Sequence, residues 1–186
     1  ALSVTGVQYL PDLNYNGKDT VVVTVNDRGN TDAGLVNPLT ARGTVTVTVV
    51  AVNDAPVLTV PGTSVTVDED TNLPLQVQIA DVDAAEGTGE LEMVLQVFFG
   101  TLTVNTAVSG GIGAGGVTGN GTTAVSLVGT QQQLNATFAA NGVVYRGNPN
   151  FFTTVAGEET LLIHAEDEVN GVINTGPLKG VGNKTV

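Results

Sequence analysis

The sequence predicts an all-β protein, a β-sandwich built as tandem repeats, and three observations carry that reading. Apolar and polar residues alternate at period two in many short stretches. Turn-forming residues separate those stretches, with 24 glycines and 7 prolines in 186 residues. The chain also nearly repeats itself. From Gly6 it reads GVQYLPDLNYNG and then DTVVVTVND; from Gly142 it reads GVVYRGNPNFFT and then ETLLIHAED. Tyr9 matches Tyr145 at an offset of 136, Asp27 matches Asp167 at 140, and Pro38-Leu39 matches Pro177-Leu178 at 139. A nearly constant offset marks tandem units. The joint between them is Ala51-Val52-Asn53-Asp54-Ala55-Pro56. Residues 1–54 read as the C-terminal part of one unit with its linker, and 55–186 as most of a second.

The elements follow in order. Val21, Val23 and Val25 share one face of a strand over 20–26. Val45, Val47 and Val49 do the same in a strand over 43–52 that runs to the joint. These strands are too few to close a core within the first unit. A strand is expected over 57–68. Another spans 73–80, with Leu73, Leu75, Val77 and Ile79 on one face; Pro74 suggests a sheet edge. Further strands are expected near 91–99, 101–105, 123–128, 142–146 and 159–166. Only 131–140 looks helical. The glycine-rich stretch Gly110–Gly121 contains Gly111-x-Gly113-x-x-Gly116, but no helix pattern follows, so it is no dinucleotide fingerprint. It misses a calcium-binding glycine nonapeptide because Gly115 stands where an Asp is needed. It reads as a mobile surface loop.

Composition narrows the function classes. The net charge of −12, from 18 acids against 6 bases, argues against nucleic acid and anionic membrane surfaces. It suits a soluble extracellular protein or one that holds cations. The absence of cysteine excludes disulfides and leans towards a bacterial source. No stretch approaches the roughly 20 apolar residues of a membrane span. Catalysis finds little support. The single histidine, His164, alternates out of phase with Leu161 and Ile163 and reads as a surface residue. Glu158 and Glu159 are strand neighbours and point to opposite faces. Tyr9, Tyr145 and Phe151 fall at or beside matched repeat positions and read as core.

The acids sit at strand ends, and antiparallel geometry sorts them. Strand 57–68 leaves the joint and delivers Asp68, Glu69 and Asp70 to the far end. Strand 73–80 returns and delivers Asp81 and Asp83 to the joint end. Strand 159–166 delivers Asp167 there too. Asp54, Asp81, Asp83 and Asp167 are therefore expected to converge on the joint, with Asn53 in the linker, facing Asp12 and Asn14 from the first unit. Asp27 and Glu69 fall to neighbouring joints. Clustered carboxylates repel, and calcium resolves this by taking 6–8 oxygen ligands.

At these residues the chain resembles a cadherin-type repeat. Asn53-Asp54-Ala55-Pro56 resembles the cadherin linker, and Val67-Asp68-Glu69-Asp70 the segment with that family's first-strand Glu. Asp81-Val82-Asp83 is similar to its Asp-x-Asp, and Ala165-Glu166-Asp167 to its Ala-x-Asp, with Val25-Asn26-Asp27 as the earlier copy. Asp12-Leu13-Asn14 stands where cadherins carry Asp-Arg-Glu. The phrases AVNDAPV and NYNGKDTVVVTVND look typical of cadherin-like repeats in large bacterial surface proteins. The resemblance implies an immunoglobulin-like Greek-key sandwich and Ca2+ at the joints. Ala51 replaces the first linker Asp, and Asn14 replaces a Glu, which implies fewer ions per joint than in animal cadherins.

The function this implies is a calcium-rigidified structural repeat of a bacterial cell-surface or secreted adhesin, holding a binding tip away from the cell. Its partners would be neighbouring repeats, and other copies by edge-strand pairing. The alternatives are a carbohydrate-binding sandwich module and a self-assembling extracellular filament subunit. The paucity of aromatics, 4 % with no Trp, weighs against a sugar-stacking platform.

Overall fold

The computed structural model describes residues 6–29, 38–60, 62, 65–85, 88–151, 159–167 and 179–185. The chain divides into two units, 1–52 and 53–186, which places Asn53 and Asp54 with the second. Unit one holds β1 (Gly17–Asn26) and β2 (Thr40–Val49), paired antiparallel over ten residues from Gly17 opposite Val49 to Asn26 opposite Thr40. Opposed residues share a face. One face therefore collects Val21, Val23, Val25, Val45, Val47 and Val49, and the other Thr20, Thr24, Thr44, Thr46 and Thr48. Among the described residues, neither strand has another ladder partner.

Unit two runs β3 (Val57–Thr59), β4 (Asn72–Pro74), β5 (Gln78–Ala80), β6 (Glu90–Gln96), β7 (Gly100–Val104), β8 (Val117–Thr118), β9 (Ala124–Thr130), α1 (Gln131–Ala139), β10 (Val143–Gly147), β11 (Thr160–Asp167) and β12 (Lys179–Thr185). All its strand pairs are antiparallel. One sheet has the order β12-β11-β6-β9-β8, a second β4-β10-β7, and a third pairs β3 with β5. The fold is an all-β sandwich. Leu91, Met93 and Leu95 of β6, Val125 and Leu127 of β9, and Leu161, Ile163 and Ala165 of β11 belong to its core. So do Leu102 and Val104 of β7, Val143 and Tyr145 of β10, and Leu134 and Phe138 of α1.

Several boundaries differ from the sequence expectation. The alternation over 73–80 holds, with Leu75, Val77 and Ile79 buried, but it serves two sheets. β4 pairs with β10 and β5 with β3, so the chain changes layer between Pro74 and Gln78. Pro74 lies on an edge strand, where a missing N–H is tolerated. The strand expected over 57–68 is confined to Val57–Thr59. The glycine-rich stretch is a packed segment instead of a free surface loop. Ile112 is buried, its N–H donates to Thr137 Oγ1, and a Cβ at Gly116 would collide with the Val128 carbonyl.

The helix at 131–140 forms with a capping box. The Gln133 N–H donates to Thr130 Oγ1, and the Thr130 N–H donates back to Gln133 Oε1. Its side chains cover the edge of β5. Asn135 accepts from the Ile79 N–H at 2.9 Å and donates to the Ile79 carbonyl at 2.8 Å. Gln131 Oε1 accepts from the Asp81 N–H at 2.7 Å. Two amides thus stand in for a neighbouring strand and fix where β5 ends, immediately before Asp81.

The repeat is visible in the hydrogen bonds. Tyr9 Oη donates to Asp19 Oδ2 in unit one; Tyr145 Oη donates to Glu159 Oε2 in unit two. The Thr20 N–H donates to Asp19 Oδ1, and the Thr160 N–H to Glu159 Oε1. Asn14 and Asn150 are both left-handed, at φ 60° and 57°. The turn closed by Tyr15 N–H on the Asp12 carbonyl recurs as Phe151 N–H on the Asn148 carbonyl. Thr20 opposes Thr46 as Thr160 opposes Thr185, so both ladders share one register.

Candidate metal centre

Three elements deliver the site within unit two. β5 ends at Ala80, and the following turn carries Asp81 and Asp83; β11 ends at Asp167. One carboxylate oxygen from each of these aspartates lies within 4.8 Å of the others. The turn is set by Asp81 itself, whose Oδ1 accepts from the Asp83 N–H at 3.0 Å. The linker is tied in through its backbone, since the Asp54 N–H donates to Asp83 Oδ2 at 2.8 Å.

What remains after these bonds defines the chemistry. Asp81 Oδ2, Asp83 Oδ1 and both oxygens of Asp167 are buried without a hydrogen-bond partner, and so is Asn53 Oδ1. Asp167 as a whole is only 8 % exposed. Buried polar atoms are normally paired, so these orphaned oxygens need an explanation. At 4.8 Å, two carboxylates repel by about 0.9 kcal/mol in water and by about 3.5 kcal/mol at the effective dielectric near a protein surface. Burial, with Asp83 and Asp167 beside it, pushes the Asp81 carboxyl up to about 7. All the orphaned atoms are hard oxygen acceptors, and three of the four residues are anionic. Asp81, Asp83 and Asp167 can hold a metal ion.

Other expected ligands take different places. Asp54 meets the site through its N–H, and its carboxylate is not among the three that converge. Asp12 and Asn14 belong to unit one, in the turn before β1. Asp27 ends β1 as Asp167 ends β11, yet its Oδ1 accepts from the N–H groups of Gly29 and Leu39. Those bonds hold its carboxyl below the usual range. Glu69 lies in the exposed turn closed by the Thr71 N–H on the Asp68 carbonyl. That turn leads to the opposite end of β11: Asp70 Oδ1 accepts from the Asn150 N–H, the Asn148 N–H donates to the Phe99 carbonyl, and the Phe99 N–H donates to Glu159 just before β11.

Glu159 is the residue whose role the sequence did not suggest. It is fully buried at the start of β11. Its carboxylate accepts from the N–H groups of Phe98, Phe99 and Thr160 and from Tyr145 Oη. It is therefore a satisfied anchor for the β6–β7 turn. Glu158 lies outside the described residues. His164 is half-buried, with Nε2 at 2.6 Å from Glu166 Oε1. Tyr145 is core, and Phe151 is half-buried and stacked on Phe99 at 5.0 Å. Tyr9, by contrast, is 37 % exposed. A cavity of about 660 Å³ beside α1 is lined by Thr59, Gln76, Gln78, Gln131 and Asn135. Gln131 and Asn135 are already committed to the β5 backbone. No protein-family model, curated protein or solved structure matches the chain.

Proposed function

We propose that the chain is a calcium-braced segment of a cadherin-like tandem array on a bacterial surface or secreted adhesin, acting as a spacer that holds a binding tip outward. The observation that carries this reading is the set of orphaned buried oxygens on Asn53, Asp81, Asp83 and Asp167, next to the linker backbone tied to Asp83. Five such oxygens approach the 6–8 that calcium prefers, with water or carbonyls completing the shell. Magnesium favours fewer protein ligands and stricter geometry. A cation there would bind the linker to the ends of β5 and β11 at once. A cation held this way would stiffen the linker against the ends of those strands.

Calorimetric titration with calcium and magnesium tests the reading, with thermal melts in calcium and in chelator. An ion bound only by the native state stabilises it by about 2.7 kcal/mol at a hundredfold excess over Kd. A melting curve indifferent to both additions would sink the proposal.

A further inference from the structure

We infer that unit one is an acceptor for a β-arch of the β6–β7 kind: a strand added along the open edge of β1, a turn seated on Asp19, and a return strand beside residues 7–11. The occupant is a polypeptide segment with the pattern of Glu90–Val104, in which alternate residues are apolar and the turn offers two consecutive free N–H groups. This rests on the internal repeat and is independent of the cation site.

The repeat supplies the argument, because unit two contains the same hairpin with its cover in place. β11 and β12 have the register of β1 and β2. In unit two the second edge of β11 is taken by β6, with Leu162 opposite Gln96, His164 opposite Val94 and Glu166 opposite Glu92. In unit one the matching residues Val22, Thr24 and Asn26 have no such partner among the described residues. The inward faces tell the same story. Ile163 is 1 % exposed, whereas its counterpart Val23 is 46 % exposed and Val25 is 60 % exposed. The apolar face of unit one has the pattern of a buried face, and among the described residues Val23 and Val25 remain exposed.

The acid at the head of each strand identifies the turn. Glu159 accepts from Tyr145, from Thr160 and from the N–H groups of Phe98 and Phe99. Asp19 repeats the first two contacts through Tyr9 and Thr20. Among the described residues, no donors on Asp19 match Phe98 and Phe99, and that is the place a β6–β7-type turn fills. The return strand has its place as well. β7 pairs with β10, with Leu102 opposite Tyr145 and Val104 opposite Val143. The counterparts of β10 are residues 7–11, which form no ladder and leave Val7 and Leu10 exposed. Edge, face, acid and return strand thus all point to one arch. A second copy of the chain is the weaker occupant, since its own β6 is already paired with β11 and β9.

The test uses the full chain and a labelled synthetic peptide of residues 90–104, followed by fluorescence anisotropy. Saturable binding is expected, weakened at least tenfold by Val23→Lys and several-fold by Asp19→Asn. Leu95→Lys in the peptide is expected to abolish it. Hydrogen exchange on the complex should show new protection in β1 and in residues 7–10. No saturable binding, or binding that both Val23→Lys and Asp19→Asn leave intact, would overturn the inference. So would self-association without peptide that Val23→Lys abolishes, which assigns the face to a second copy. Asp81→Asn disables the cation site and is expected to leave peptide affinity unchanged, so the two readings fail separately.

Discussion

Asp81 and Glu159 show how the same side-chain chemistry serves opposite ends. Glu159 is buried with four donors, and Asp81 is partly buried with one oxygen orphaned. Losing the first carboxylate strands buried N–H groups, so Glu159→Gln should cost unit two about 2–4 kcal/mol, read by denaturant unfolding. Neutralising the second has the opposite sign without metal. Asp81 is lifted from 3.8 to about 7 by burial first, so the native state favours its protonated form. Its contribution to the metal-free fold is then fully present below about pH 4 and is lost as pH rises through about 7. Melting in chelator from pH 4 to 8 checks this, and saturating calcium should abolish the decline. Asp81→Asn should raise the metal-free melting temperature and weaken calcium binding at least tenfold. Asp54→Asn should weaken it far less, because Asp54 bonds through its N–H, and Glu69→Gln should leave it unchanged. Equal losses in Asp54→Asn and Asp81→Asn would place the Asp54 carboxylate in the site. The converging aspartates were legible in the sequence because strand direction alone sorts them. The backbone role of Asp54 and the anchor at Glu159 were not, since they depend on which N–H groups a neighbouring turn presents.

Among elements, α1 is nine residues long and its apolar face is modest, yet it sets the edge of β5. Asn135→Ala would leave the Ile79 N–H and carbonyl without their partners, at a cost of about 1–3 kcal/mol. Thr130→Ala removes the N-cap and should cost about 1 kcal/mol. Denaturant midpoints of the two variants measure both, and a neutral Asn135→Ala would show that water replaces the amide. Period-two alternation made the strands readable, and the capping pair Thr130 and Gln133 made the helix readable. The switch of sheet between β4 and β5 left no trace, because inward residues continue to alternate while the hydrogen-bond partner changes. The docking of Gly110–Gly121 was hidden for a related reason. A glycine needed for close approach, such as Gly116 against Val128, is indistinguishable in sequence from one needed for a turn.

For the molecule as a whole, the two units differ in what supports them. Unit two has a core drawn from its sheets and α1; unit one has a ladder whose valines are largely exposed. Hydrogen exchange should therefore be fast throughout β1 and β2 and slow in β6, β9 and β11, and calcium should slow only the second set. Slow exchange in β1 of the isolated chain would contradict this. The position of β11 has one more consequence, in the order of assembly. This interior strand docks between β6 and β12 after more than sixty intervening residues have been made. Its last residue completes a cluster whose other members lie near the start of the unit. Long-range pairing of that kind comes late and slowly. An emerging chain would offer Asp81 and Asp83 early, as a weak pair, and Asp167 only once the final long-range strand has seated. A cation bound there would act as an inspector of finished work, retained by chains that have closed and released by those that have not.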